Sequence, residues 1–194
     1  YGRLKTGASG ELLAIVEAKE ASPDELAIGL CNAGAMALDA DVLRKHAPRL
    51  TADNAKGEFY LTDIIAMARS EGGRFAVIEA AEEEVMGVNS RGELSEAERV
   101  FQKRRRRAAM DDGATLIDPD TVYFSADTEI GRDVLIEPNV WFGPKVKIAD
   151  GARVCAFSHL EGATVGPGAR VGPFARLRPG ADLGAGARVG NFVE

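Results

Sequence analysis

Few side chains in this sequence invite a chemical reading, and Arg178 is the clearest. It stands in Leu177-Arg178-Pro179-Gly180, at a slot that holds glycine at positions 131, 143, 166, 172, 184 and 190. A long cation where a small residue would serve is consistent with binding a specific anion, because the planar guanidinium fork suits carboxylate or phosphate. An exposed arginine paired with a nearby carboxylate is the other reading. His46 and His159 are the only histidines, so the chain has no three-histidine metal site. His159 reads as a surface residue, and His46 sits in a charged, loop-like stretch with no evident partner. Cys31 and Cys155 are too few for a disulfide framework, which suits a reducing compartment. The run Lys103-Arg104-Arg105-Arg106-Arg107 could form an anion or nucleic-acid patch, or a solvated helix end favoured by the helix dipole. A net charge of −6 favours the second and gives no general attraction to nucleic acid or an anionic membrane.

The element carrying Arg178 is legible from a repeat. Ile130, Ile136, Phe142, Ile148, Val154 and Leu160 recur every six residues. After one five-residue step come Val165, Val171, Leu177, Leu183 and Val189. Four positions after each lies a small or β-branched residue: Val134, Val140, Val146, Ala152, Ser158, Thr164, Ala169, Ala175, Ala181, Ala187 and Val193. Such spacing predicts a triangular solenoid, a left-handed parallel β-helix of hexapeptide repeats running from about Thr128. The aliphatic residue fills the axis, the small one fits near a corner, and glycine permits the turn. The five-residue step predicts a tightened corner at Leu160–Thr164. Arg153, Arg170 and Arg188 should stack on adjacent coils, a like-charge ladder that needs interleaved carboxylates or a neighbouring subunit.

The first half differs. Residues 114–194 hold half of the 22 glycines, whereas the earlier residues mix helical and strand patterns. Leu12–Val16 reads as a buried strand and Arg74–Ile78 as another. Leu61, Ile64, Ile65 and Ala68 share one face of a helix closed by Gly72-Gly73. Strands alternating with helices point to an α/β domain. A linker helix over 90–113 opens on the capping-box spacing Ser90…Glu93, with Leu94, Ala97, Val100 and Phe101 as its apolar stripe. Hydrophobic residues at 45% and charged residues at 28% suit a globular protein, and no apolar run reaches the ~20 residues of a membrane span.

These parts together resemble the family of bifunctional N-acetylglucosamine-1-phosphate uridylyltransferase/glucosamine-1-phosphate N-acetyltransferases. The resemblance covers almost the entire chain. It is carried by Tyr1-Gly2-Arg3, Ile15-Val16-Glu17, Cys31-Asn32-Ala33-Gly34, Gly57-Glu58-Phe59-Tyr60-Leu61-Thr62-Asp63-Ile64-Ile65 and Gly87-Val88-Asn89-Ser90-Arg91. It continues through Gly172-Pro173-Phe174-Ala175-Arg176-Leu177-Arg178-Pro179-Gly180 to Gly190-Asn191-Phe192-Val193-Glu194. The resemblance implies an internal fragment. Residues 1–89 would be the C-terminal part of a Rossmann-like α/β uridylyltransferase domain, 90–113 the linker helix, and 114–194 the first coils of the acetyltransferase β-helix.

By that resemblance Gly2, Glu17, Asn32 and Asn89 bind the nucleotide-sugar, and Asn89 also helps hold Mg²⁺. Arg178 holds the phosphate of glucosamine-1-phosphate, and Glu194 lies near that second site. The implied substrates are UTP, N-acetylglucosamine-1-phosphate, glucosamine-1-phosphate and acetyl-CoA, in a cytoplasmic homotrimer. The family's phosphate loop and Mg²⁺-binding Asp would precede Tyr1, and its acetyl-CoA coils and catalytic His would follow Glu194. The fragment is therefore expected to contain no catalytic residue and to be inactive alone. The alternatives are another sugar-1-phosphate nucleotidyltransferase with a hexapeptide tail, or a non-catalytic trimerisation module.

Overall fold

An aliphatic residue at every sixth position can point inward only if the chain turns a corner between each pair. In the computed structural model, which describes residues 1–193, it does so. The chain forms two compact units, Tyr1–Gly87 and Val88–Glu194. In the second unit each strand is two residues long and ends on the inward side chain, as in Trp141–Phe142, His159–Leu160 and Arg176–Leu177. Like corners stack into three parallel sheets, of four, four and five strands. This is the parallel β-helix that the hexapeptide reading requires. Partners lie eighteen residues apart, as in Trp141↔His159, seventeen across the short step, as in His159↔Arg176, and twenty at the first coil, Thr115↔Leu135. Ile136, Phe142, Ile148, Val154, Leu160, Val165, Val171 and Leu177 are buried, and Ile130, Leu183 and Val189 pack partly buried on the same core.

Three details differ from the sequence reading. The solenoid begins at Thr115–Leu116, a coil earlier than the period reveals, because the 3-10 turn Pro119–Thr121 interrupts the spacing. In the short corner Ala163 turns inward, fully buried, and Thr164 faces out. Most of the slot glycines do not serve the turn. The left-handed backbone falls two residues later, at Asp133 (φ 55°), Asn139 (φ 59°) and Phe157 (φ 59°). At some slots glycine gives clearance instead: a Cβ on Gly131 would lie 2.8 Å from the Asp150 backbone nitrogen and one on Gly166 2.6 Å from the Leu183 carbonyl oxygen of the next coil, whereas Glu137, Glu161 and Arg178 fill the same slot.

The lowest coil is closed by helix α4 (Arg91–Asp111). Ser90 accepts the Glu93 N–H at 3.2 Å, while the Glu93 carboxylate takes the Asn89 N–H at 2.6 Å, one residue short of a reciprocal capping box. Val100 is buried, but Leu94, expected in the stripe, is 57% exposed. The solenoid instead meets a polar face. Gln102 Nε2 donates to the Phe124 carbonyl at 2.7 Å, and the Phe124 N–H donates back to Gln102 Oε1 at 2.9 Å. One side-chain amide thus replaces a neighbouring strand. Arg105 donates to the Thr128 carbonyl at 2.6 Å. Arg106 donates to the Asp120 and Val122 carbonyls and pairs with the Asp120 carboxylate at 3.2 Å. The basic run is therefore not simply a solvated helix end, because two of its members bind backbone that would otherwise be an open strand edge.

The first unit is a small α/β assembly. Strands β1 (Arg3–Thr6) and β2 (Leu12–Val16) pair antiparallel, with Arg3 opposite Val16. Helices α1 (Pro23–Leu26), α2 (Ala40–His46) and α3 (Asp63–Ser70) follow. Leu4, Leu12, Ile15 and Ile65 form the core. β2 is only partly buried, and residues 74–78 form no strand, contributing the Phe75 carbonyl to the Leu12 N–H while Ile78 stays 92% exposed. α3 closes as expected: Gly72 has φ +92° and the Gly73 N–H reaches the Ala68 carbonyl at 2.9 Å. His46 is buried at the end of α2, 3.6 Å from Glu71, rather than in a loop. Glu71 also binds Lys45 and Arg49, which hold its carboxyl down at about 2. Lys5 and Ser22 likewise hold the Glu25 carboxyl at about 2.

Two outcomes follow. Gln102→Leu leaves two buried backbone groups unpaired and should destabilise the solenoid by about 2–4 kcal/mol, read from the urea midpoint of the second unit. Because the folded carboxyls of Glu71 and Glu25 lie below the ordinary 4.5, their stabilisation is complete above that pH and is lost as pH falls towards about 2. Acid titration of the first unit by circular dichroism should show this loss, and Glu71→Gln should flatten it.

Candidate functional site

The open end of the β1–β2 hairpin gathers three of the expected residues. Gly2 precedes β1 and Glu17 follows β2, so the strand register sets them opposite one another. A Cβ on Gly2 would fall 3.0 Å from Ile15 Cγ2 and 3.2 Å from Glu17 Oε1. The Asn32 N–H donates to the Gly2 carbonyl at 2.8 Å, and Asn32 Oδ1 accepts the Gly34 N–H at 3.1 Å in an Asx turn. Arg3 reinforces this junction by bridging to Cys31 through backbone and by donating from its guanidinium to the Cys31 sulfur. A carboxylate, an amide and bare glycine backbone therefore share one small region, a donor and acceptor set suited to sugar hydroxyls and an acetamido group.

Tyr60 is a residue to which sequence reasoning gave no role. Its hydroxyl is buried without a hydrogen-bond partner among the described residues. Burial pushes its pKa up against the pull of Lys56, and Glu58, Glu20 and Glu17 push the same way. The only signal in the sequence was its place in the Gly57–Ile65 block.

Asn89 belongs to the second unit, immediately before the N-cap of α4, and its N–H is spent on Glu93. Its side chain is a neutral oxygen donor. Among the described residues no cluster of three or more His, Cys, Asp or Glu side chains could hold a metal. Mg²⁺ keeps several waters and takes one or two carboxylates plus substrate phosphates, so Asn89 fits as one auxiliary ligand and not as a complete site.

Arg178 lies exposed at the corner after Arg176–Leu177. In its column the coil beneath carries Glu161, whose N–H donates to the Leu177 carbonyl at 3.0 Å, and the coil beneath that carries Gly143. Arg178 thus projects from a rigid stack, just past the strand that carries the outward side chain of Arg176. His159 faces outward and stacks on Trp141 with ring centroids 6.3 Å apart, which continues the Tyr123–Trp141 stack at 5.1 Å. Glu194 lies outside the described residues. A concavity at the foot of the solenoid, lined by Asp111, Asp112, Arg132 and Asp150 among others, contains none of the expected binding residues. No described helix is long and apolar enough to cross a membrane.

Similarity to known proteins runs through both units. A protein from Paramagnetospirillum magneticum is 54% identical over all 194 residues, and one from Azorhizobium caulinodans is 54% identical over the same length. A third, from Hyphomonas neptunium, is 55% identical over 87% of this chain. Each bears the name bifunctional protein GlmU. The chain belongs to the GlmU family. It spans 43% of the length of the first two relatives and 36% of the third. No family model matches it.

The crowding at Gly2 yields a direct check. Gly2→Ala should cost the first unit about 1–2 kcal/mol by overpacking against Ile15 and Glu17. Gly29→Ala, where a Cβ meets nothing within 4 Å, should stay within about 0.5 kcal/mol of the unsubstituted protein in the same urea titration.

Proposed function

We propose that this chain is part of an enzyme that makes UDP-N-acetylglucosamine by two transfers. One moves acetyl from acetyl-CoA to the amine of glucosamine-1-phosphate. The other moves UMP from UTP to N-acetylglucosamine-1-phosphate and releases pyrophosphate. The observation that carries this reading is the similarity to bifunctional GlmU proteins through both units, since each unit then bears the sugar side of one site.

In the first unit the bare backbone of Gly2 lets the sugar approach closely, while Glu17 and Asn32 accept and donate to its hydroxyls and acetamido group. Tyr60, with its unpaired hydroxyl, is supported as a further contact in that region. Mg²⁺, when bound with Asn89 as one oxygen ligand, neutralises phosphate charge. The protein's work in phosphoryl transfer is mainly positioning and charge stabilisation. In the second unit Arg178 binds the phosphate of glucosamine-1-phosphate through charge-assisted hydrogen bonds, leaving the amine to face the acetyl donor. The working protein is a cytoplasmic homotrimer, a reading supported by the upper rungs of the arginine ladder, Arg170 and Arg188, which stack without a carboxylate among the described residues.

The two sites are separable by substitution in the full-length enzyme. Asn89→Ala should depress uridylyl transfer and leave acetyl transfer nearly unchanged. Arg178→Ala should do the reverse, raising KM for glucosamine-1-phosphate by about 10–100-fold, the loss of a charged hydrogen-bond partner. Separate assays of the two half-reactions check both. Unchanged acetyl transfer in Arg178→Ala would remove the second site from this account.

A further inference from the structure

We propose that Arg170 and Arg188 form one side of a seam with a second copy of this chain, whose Glu161 and Asp182 supply the opposing charge. The proposal rests on the self-association reading above and assigns the contact to particular residues.

Two outward cations of the solenoid are neutralised by a carboxylate of the preceding coil. Lys147 pairs with Glu129 at 2.9 Å, and Arg153 pairs with Glu137 at 2.6 Å. Arg170 and Arg188 have no such carboxylate among the described residues. They are in register with each other, and Arg170 is in register with Arg153, so three guanidinium side chains climb one sheet on successive rungs. Like charges directly opposite in a sheet repel. Both arginines are exposed, and neither meets a carboxylate among the described residues. Glu161 and Asp182 are likewise exposed, with no ion-pair partner among the described residues. The same coils therefore display two unpaired cations and two unpaired anions on different faces.

Their heights interleave. Position along a solenoid axis rises with residue number, so Glu161 falls between the Arg153 and Arg170 rungs, and Asp182 between the Arg170 and Arg188 rungs. In a closed ring of identical copies about an axis parallel to the solenoids, equal heights face one another. Each carboxylate of one copy then enters a gap in the arginine ladder of the next. The arginines lie on one sheet, Asp182 on another, and Glu161 in the corner leading to that other sheet, so the contact joins unlike faces and propagates around a ring. The corners between those two sheets carry Gly166-Pro167-Gly168 and Gly184-Ala185-Gly186, with no long side chain to hold a neighbour away.

Sedimentation velocity on the chain tests this. The unsubstituted protein should associate, and added NaCl should weaken the association. Arg170→Glu/Arg188→Glu should weaken it at least about tenfold, and so should Asp182→Arg/Glu161→Arg. All four changes in one chain should restore association to within about threefold, because a heterologous seam brings the reversed faces together again. The substituted positions are exposed, so each variant should keep the original circular dichroism melt. Charge reversal that leaves association unchanged, or a fourfold variant no better than either pair, would overturn the seam. A chain that stays monomeric without substitution would remove the self-association reading itself, and the seam with it.

Discussion

Every strand of the solenoid has to pair its backbone groups with the coil above and the coil below at the ~4.8 Å spacing of a sheet, and the rest of the second unit follows from that requirement. Strands shrink to two residues because three sheets must close around one aliphatic axis. Corners take left-handed residues, including Asp133, Asn139 and Phe157, because the chain has to turn from one sheet to the next within four positions. Glycine sits beside the inward residue because a side chain at positions such as Gly166 would strike the next coil's backbone. The same requirement explains the polar contact at the foot of the solenoid: the lowest coil has α4 beneath it, and Gln102 offers Phe124 the donor and acceptor that a strand would have offered.

Stacking also decides what the surface can do. In a register this strict an outward side chain is repeated almost directly above itself, so the solenoid presents ladders rather than scattered residues. One ladder is aromatic, at Phe157, Phe174 and Phe192, with ring centroids 5.0 and 5.5 Å apart. Another is cationic, at Arg153, Arg170 and Arg188. Arg178 stands in the corner after Arg176–Leu177, where the same stacking fixes its backbone while its side chain stays exposed. The first unit positions its residues differently, through a short hairpin whose register sets Gly2 against Glu17 and a backbone bond that ties Asn32 to Gly2.

The inward register was legible because it repeats: one misplaced residue among eleven is outvoted by the rest. The exception proves instructive. The five-residue step placed the shortened corner at Leu160–Thr164, but counting four positions from Leu160 put Thr164 inside, whereas Ala163 turns in. The first coil left no mark in the hexapeptide period, because Pro119–Thr121 breaks the spacing where no earlier repeat supports it, and only the motif resemblance set the boundary at 114. The slot glycines were recognised, but their cause was assigned to the turn instead of the neighbouring coil, since a sequence records small size without saying what it makes room for. Arg105 and Arg106 were read within a basic run favoured as a solvated helix end, and Gln102 drew no reading, because their partners are backbone carbonyls and amides, which leave no trace in side-chain pattern. His46 was hidden for a similar reason, its neighbour Glu71 standing far along the chain. Gly2, Glu17, Asn32, Asn89 and Arg178 were nameable from motif resemblance. The convergence of the first three emerges only with the hairpin register.

The backbone-pairing requirement is tested most directly by hydrogen–deuterium exchange at the Phe124 amide. If the Gln102 side chain acts as the missing strand, that amide should exchange within about tenfold of the Trp141 and Gly143 amides, which donate to the Ser158 and Leu160 carbonyls inside the stack. Exchange at the rate of an open strand edge would contradict the account, because the solenoid would then end on unpaired backbone and α4 would not be its cap.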